Sequence, residues 1–206
     1  MNYRFEIIHK AIPYRGFFQM EVYRLRHELF AGGWSPVIER ECLERGHAVA
    51  LLPYDPDRDQ VVLVEQFRIG ALEPFQGPWL LEIVAGIIGP GEATAEVARR
   101  EAQEEAGCTV QDLAPICQYY VSPGGTSETI ALYCGRVDAS QAGGLHGLDA
   151  EHEDIRVHVV SREEALAMLQ AGRINSAAPI IALQWLALNY QELQARWGRQ
   201  EPRSGR

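Results

Sequence analysis

The sequence predicts an α+β protein: an α/β/α sandwich on a mixed sheet, with a small antiparallel β subdomain ahead of it. Three observations lead there. Residues 3–9 and 17–25 alternate apolar and polar side chains, the period of a strand. Further strand-like runs from 48 onward are interrupted by one charged helical stretch. Two more helical patterns close the chain after residue 161. With 206 residues, 47% of them hydrophobic, the chain can bury one sizeable core and a small appended unit.

The first two strands are separated by Pro13-Tyr14-Arg15-Gly16, and a third, 37–43, follows the turn Gly32-Gly33-Trp34-Ser35-Pro36. A lone sheet of that size is marginal in water, so it must pack on the main domain or on a second chain. Its aromatics Phe17, Phe18, Tyr23 and Trp34 read as exposed. The expected organisation is therefore 1–45 as an N-terminal β subdomain, 46–198 as the main domain and 199–206 as a polar, disordered tail.

In the main domain, 48–54 and 61–69 are strands joined by the turn Asp55-Pro56-Asp57-Arg58-Asp59. Residues 79–84 form another strand running into Ala85-Gly86, and strands follow the central helix at 115–121 and 129–137. Residues 139–153 read as a glycine-rich loop and 154–160 as the returning strand. Ser161-Arg162-Glu163-Glu164 is a capping box opening a helix that ends at Gly172. The last helix runs from Ser176 to Trp197, with Pro179 in its first turn, where proline is tolerated.

The central helix carries the strongest chemical signal. Five residues separate Gly86 from Glu92, and seven separate Glu92 from Arg100-Glu101-Ala102-Gln103-Glu104-Glu105-Ala106-Gly107-Cys108. On a helix, Glu101, Glu104 and Glu105 fall within an arc of roughly 100°. Like charges at this spacing destabilise a helix by roughly 0.2–0.5 kcal/mol per pair, so the cluster calls for a cation. Carboxylate oxygens without Cys or His suit Mg²⁺ or Mn²⁺ rather than zinc. Pro90-Gly91 makes the turn before the helix, and Gly107 supplies the left-handed residue that ends it.

A net charge of −9 with no basic run argues against nucleic-acid binding. Lys10 is the only lysine; the other cations are arginines, suited to bidentate grips on phosphate. Cys42, Cys108, Cys117 and Cys134 show no CxxC pairing and read as buried small hydrophobes in a reducing compartment. The N-terminal residues lack the apolar core of a signal peptide, and the longest apolar stretch, 177–188, is too short to span a membrane. The expectation is a cytoplasmic protein with no membrane partner.

Two loops add to the helix. The stretch 139–153 ends in Asp149-Ala150-Glu151-His152-Glu153-Asp154, an acidic knot beside glycines that allow movement. A glutamate here, rather than His152, is the expected base. Ser122-Pro123-Gly124-Gly125-Thr126-Ser127-Glu128 is a second glycine-bearing loop, its proline fifteen residues past Cys108.

The helix and its approach resemble the Nudix box, the signature of hydrolases that cleave a nucleoside diphosphate linked to another moiety. Ala102 and Cys108 fill its aliphatic positions weakly. With the Pro-Gly-Gly loop, Tyr14-Arg15-Gly16-Phe17-Phe18, Glu44-Arg45-Gly46-His47, Glu65-Gln66-Phe67-Arg68 and Glu151 to Arg156, the chain resembles the ADP-ribose pyrophosphatase subfamily from about residue 10 to 197. That resemblance implies a Nudix fold and a homodimeric enzyme that splits ADP-ribose into AMP and ribose 5-phosphate with Mg²⁺. It implies Glu101, Glu105 and the Ala85 carbonyl as metal ligands, with Gly86, Arg100 and Glu104 supporting them. Glu151 would be the general base and Glu153 a metal contact in a closed state. Arg68 would hold the pyrophosphate, Glu82 would lie near adenine or the metal shell, and Glu128 near the terminal ribose. Phe17 would stack on adenine, and Arg40 would reach in from the partner subunit. The box contacts only metal and phosphate, so a sister enzyme acting on another nucleoside diphosphate sugar, such as GDP-mannose, stays open. A non-catalytic nucleotide-binding Nudix module would be expected to lack the metal carboxylates, and Glu101, Glu104 and Glu105 are all present.

Overall fold

A computed structural model describes residues 3–73 and 77–198 of the chain. They divide into two compact units: the smaller runs to His47 and takes in Tyr120–Ile130, and the larger holds Ala48–Tyr119 and the chain from Ala131 onward. The tail expected to be disordered, 199–206, lies outside the described residues.

The smaller unit is an antiparallel sheet in the order β1 (Phe5–Arg15), β2 (Gln19–His27), β3 (Ile38–Glu44). β1 runs through Pro13 rather than stopping before it. The proline lacks an N–H, and on an edge strand no ladder bond is lost; the register slips between Ala11 and Tyr14 to absorb it. The turn therefore falls at 16–18, closed by Gly16 N–H donating to Phe18 O at 2.9 Å, and not at 13–16.

Phe17 on that turn is 85% exposed, and Trp34 is exposed too. Phe18 and Tyr23 are only half-buried, against expectation. Phe18 packs edge-on to Phe17 and lies under the Arg45 guanidinium, while the Tyr23 hydroxyl donates to Glu21. Glu21 is itself buried, and the Lys10 ammonium at 2.7 Å holds its carboxyl below the usual range.

The loop after Tyr120 is stitched to β3. Leu43 N–H donates to Gly125 O at 2.8 Å and Ser127 Oγ to the Glu44 carboxylate at 2.6 Å. Two motifs far apart in sequence, Glu44-Arg45-Gly46-His47 and Ser122 to Glu128, are thus neighbours.

The larger unit holds β4 (Ala48–Asp55), β5 (Gln60–Phe67), β6 (Trp79–Glu82), β7 (Val84–Ile87), α1 (Thr94–Ala106), β8 (Asp112–Tyr120), β9 (Thr129–Arg136), β10 (Gly144–His146), β11 (Ile155–Ser161), α2 (Arg162–Gln170) and α3 (Ala177–Trp197), except that Tyr120 of β8 and Thr129 and Ile130 of β9 fall in the smaller one. Its mixed sheet runs β10-β11-β5-β4-β9-β8, with β6 on β5 and β7 on β4. The expected strand 79–84 breaks at Ile83 because the chain changes partners there, leaving β5 for β4. The expected loop 139–153 contains β10, paired antiparallel to β11 from Gly144 opposite Val157 to His146 opposite Ile155.

Every residue of β4 is buried, so both faces of the sheet are covered. On one face Val49, Leu51, Val62, Val64, Ile155 and Val157 meet Val97, Ala98, Ala102 and Ala106 of α1. On the other, Leu52 and Leu63 lie beneath α2 and α3, whose Ala165, Ala182, Leu183 and Leu186 are buried. The Ser161 hydroxyl accepts from Glu164 N–H at 3.1 Å, as its capping motif requires, whereas Ser176 makes no such bond. Cys108 and Cys134 are buried, but Cys42 is half-buried and Cys117 exposed, and all four thiols are free. Among the described residues no helix is long and apolar enough to cross a membrane.

Candidate catalytic site on the central helix

α1 is aimed by its small residues. Ala98, Ala102 and Ala106 bring its backbone close to the sheet, which pulls the next positions round, Glu101 and Glu105, inward with them. Gly107 ends the helix at φ 64, donating to the Gln103 and Ala102 carbonyls.

Glu105 is only 2% exposed, and its carboxylate accepts the Ala85 N–H at 2.9 Å. Glu101 lies so close to Gly86 that any side chain there would collide with its carboxylate. Arg100 reaches Glu101 at 3.0 Å and Glu104 at 3.1 Å, so it screens the outer part of the acidic face. Glu104, expected to pair with Arg100, does so while sharing it. The Glu92 carboxylate accepts Gly89 N–H at 2.7 Å and closes the turn leading into the helix.

Burial pushes the Glu105 carboxyl up to about 8, and burial likewise pushes Glu101 up to about 7. The charges of Glu151 and Glu153 add to the rise at Glu101, and that of Glu153 to the rise at Glu105. Glu151 is exposed on the short helical turn Asp149–Glu151. The Glu153 carboxylate accepts Leu148 N–H at 3.2 Å.

Glu82 stands opposite Val64, on the same face of the sheet as α1, and holds Arg68 by its Nε at 2.7 Å. Arg68 in turn favours the charged form of Glu105. Within the larger unit, then, Arg68, Glu82, Ala85, Gly86, Arg100, Glu101, Glu104, Glu105, Glu151 and Glu153 occupy one neighbourhood.

Phe17, Arg40 and Glu128 belong to the smaller unit. Arg40, exposed on β3, donates to the Glu39 carbonyl at 2.7 Å. Glu128 is 6% exposed and meets Arg45 at 3.3 Å. Nothing in the local spacing of Arg45 points to this partner, a carboxylate 83 residues away.

Among the described residues, no three acidic, histidine or cysteine side chains already converge into a set that could hold a metal ion. Each carboxylate is tied to a local donor instead: Glu101 to Arg100, Glu105 to Ala85 N–H and Glu153 to Leu148 N–H. The donor chemistry nevertheless fits a hard divalent cation. It consists of oxygens only, on the buried Glu105 and the half-buried Glu101, beside a glycine whose missing side chain leaves room for Glu101.

A pH dependence follows. In the unfolded chain both glutamates ionise near 4.5, but in the metal-free fold they keep their protons to about 7 and about 8. Between those limits the folded protein binds more protons than the unfolded one, so its stability falls as pH rises. Urea unfolding of protein stripped with EDTA should give a lower midpoint at pH 8 than at pH 5. Added Mg²⁺ should raise the midpoint more at pH 8, where the carboxylates ionise more readily. A midpoint independent of pH would remove the argument.

A cavity of about 260 Å³ lined by Glu65, Trp79, Leu145, Asp154 and Arg156 lies in the same unit. Strand alternation puts Glu65 and Arg156 on the face opposite Val64 and Val157, hence away from α1.

Residues 44–183 match the model of the NUDIX domain family. The chain is 54% identical over 192 residues to an ADP-ribose pyrophosphatase of Escherichia coli strain K12, covering 93% of this chain and 92% of that protein. It is 48% identical over 197 residues to an ADP-ribose pyrophosphatase of Haemophilus influenzae, covering 94% and 91%. A crystal structure of an ADP compounds hydrolase superposes with a TM-score of 0.69 at 21% identity, covering 95% of this chain and 97% of that one, a likeness of fold.

Proposed function

The chain belongs to the Nudix family, and from that premise we propose that it hydrolyses the pyrophosphate bond of ADP-ribose, giving AMP and ribose 5-phosphate. The observation that carries the reading is the placement on α1 of the buried Glu105 and the half-buried Glu101, with the charge of Glu153 from a separate loop acting on both and that of Glu151 on Glu101. The near full-length identity to relatives named for this activity supports the choice of substrate.

Glu151, exposed on its short turn, takes the proton of the attacking water. As the water oxygen bonds to phosphorus, the bridging P–O bond breaks. Arg68, held at Nε by Glu82, presents its guanidinium to the pyrophosphate. Glu101, Glu105, the Ala85 carbonyl and Glu153 would hold Mg²⁺, with Mn²⁺ a chemical substitute, and Gly86, Arg100 and Glu104 keep those ligands in place. Bound there, the ion would neutralise phosphate charge and polarise the P–O bonds. Phe17 stacks on adenine, Glu128 serves the terminal ribose, and Arg40 comes from a second copy. The working unit is a homodimer in the cytoplasm. Its support is the run of exposed apolar side chains on the smaller unit, Phe5, Ile7, Ile8 and Tyr14 among them.

Turnover of a panel of nucleoside diphosphate sugars with Mg²⁺ tests the substrate. ADP-ribose should exceed GDP-mannose by at least about tenfold in kcat/KM, a difference of about 1.4 kcal/mol in transition-state binding. The reverse order would reassign the substrate, and tight binding without turnover would make the protein a nucleotide-binding module. Mixing Arg40→Ala chains with Glu105→Gln chains tests the shared site. After subunit exchange one site of each heterodimer regains native composition and activity returns. A monomer by light scattering, or no recovery after verified exchange, would refute the sharing.

A further inference from the structure

The segment that carries Glu151 and Glu153 is fastened to the C-terminal end of α1 through His146. This residue ends β10, opposite Ile155 of β11. Its ring lies edge-on to Gly107: a Cβ on that glycine would stand 2.7 Å from the ring Cε1. Its Nε2 is 3.0 Å from the Gly143 carbonyl, which can only accept, so that nitrogen carries the proton and donates.

The next residue completes the attachment. Gly147 N–H donates at 3.3 Å to the Glu104 carbonyl, one of the helix-end acceptors left without an intrahelical partner. From there the bonds lead directly to the acidic residues. Leu148 N–H donates to the Glu153 carboxylate at 3.2 Å, and Leu148 O accepts Glu151 N–H at 2.9 Å.

The backbone around this attachment has little preference of its own. Gly143, Gly144 and Gly147 stand at φ 138, 88 and 103, where only glycine is unstrained, so contacts rather than local sterics must set the path.

We propose that His146 is a positioning residue for the reaction: seated on Gly107, it fixes where residues 147–153 lie on the end of α1 and so aims Glu151. The inference rests on the reading of Glu151 as the base. It also gives Gly107 a second duty, since a side chain there would displace the ring as well as strain the helix end.

A double-mutant cycle decides the matter. His146→Ala should lower kcat by about 10–100-fold, the scale of a displaced catalytic group, while KM stays within about threefold. His146→Gln, whose amide nitrogen can reach the Gly143 carbonyl, should restore most of that loss. If His146 acts through Glu151, adding His146→Ala to Glu151→Gln costs little more than Glu151→Gln alone. Losses that multiply, or a His146→Ala enzyme of native kcat, would overturn the proposal.

A second readout does not depend on turnover. Amide hydrogen exchange across 147–153 should quicken by about tenfold in metal-free His146→Ala, with the α1 amides facing the core unchanged. Unchanged exchange in the loop would also overturn the proposal. Should Glu151→Gln keep native activity, it is the assignment of the base that fails. The exchange result then decides by itself whether His146 holds the segment.

Discussion

Glu151→Gln is expected to lower kcat by about 10²–10⁴-fold, the range of a lost general base, with substrate binding retained. The substitution keeps size and hydrogen-bonding shape but removes the ability to take a proton. Because Glu151 is exposed on its turn, the change leaves no buried group unpaired and should not affect stability. Steady-state kinetics with ADP-ribose separate the two parameters. Glu153→Gln provides the comparison: its carboxylate accepts Leu148 N–H, so it should act on loop placement and metal affinity. If Glu153→Gln proves far more damaging to kcat than Glu151→Gln, the two roles must be exchanged.

Glu105→Gln is expected to reduce kcat by at least about 10²-fold at saturating Mg²⁺, since even the outer partners of metal ligands cost about 10–100-fold when changed. The same substitution should stabilise the metal-free protein at pH 8. Burial holds the Glu105 carboxyl up to about 8, so ionising it in the fold is unfavourable, and a neutral amide escapes that cost. A residue that lowers stability where it serves catalysis is the expected signature of a functional acid. Thermal unfolding with and without Mg²⁺, beside the kinetics, tests both halves. Near-native turnover would remove Glu105 from the site, and a metal-free protein less stable than the parent at pH 8 would contradict the electrostatic account.

The box helix was legible because its constraints are local. Gly107 has to be left-handed, Gly86 has to lack a side chain beside Glu101, and the alanines have to face the core; each leaves a mark at a fixed spacing. What escaped the sequence depended on partners far along the chain. Ile83 breaks a strand only because two different strands wait on either side of it. β10 is three residues long beside glycines, and β11 alone makes it a strand. Pro13 reads as a turn residue until β1 proves to be an edge. Phe18 and Tyr23 read as exposed because Arg45 and Lys10, which lie over their rings, carry no local signal of doing so. Cys117 read as buried on residue type alone, and it faces outward. In the smaller unit, the pairing of Glu128 with Arg45 required the loop after β8 to return to β3, which no spacing rule could supply.

The outer edge of β1 has a consequence for solubility. An apolar edge strand eleven residues long would ordinarily be a template on which further strands could add, as in fibril growth. Here the ladder it could offer is interrupted twice, between Ile7 and His9 and between Ala11 and Tyr14, and Pro13 contributes no donor. Lys10 and Arg15 place charge along the same strand. A new chain trying to extend this sheet would meet a kinked row of mismatched donors and acceptors. The apolar faces of the sheet stay available for specific assembly, while its edge is closed to runaway polymerisation.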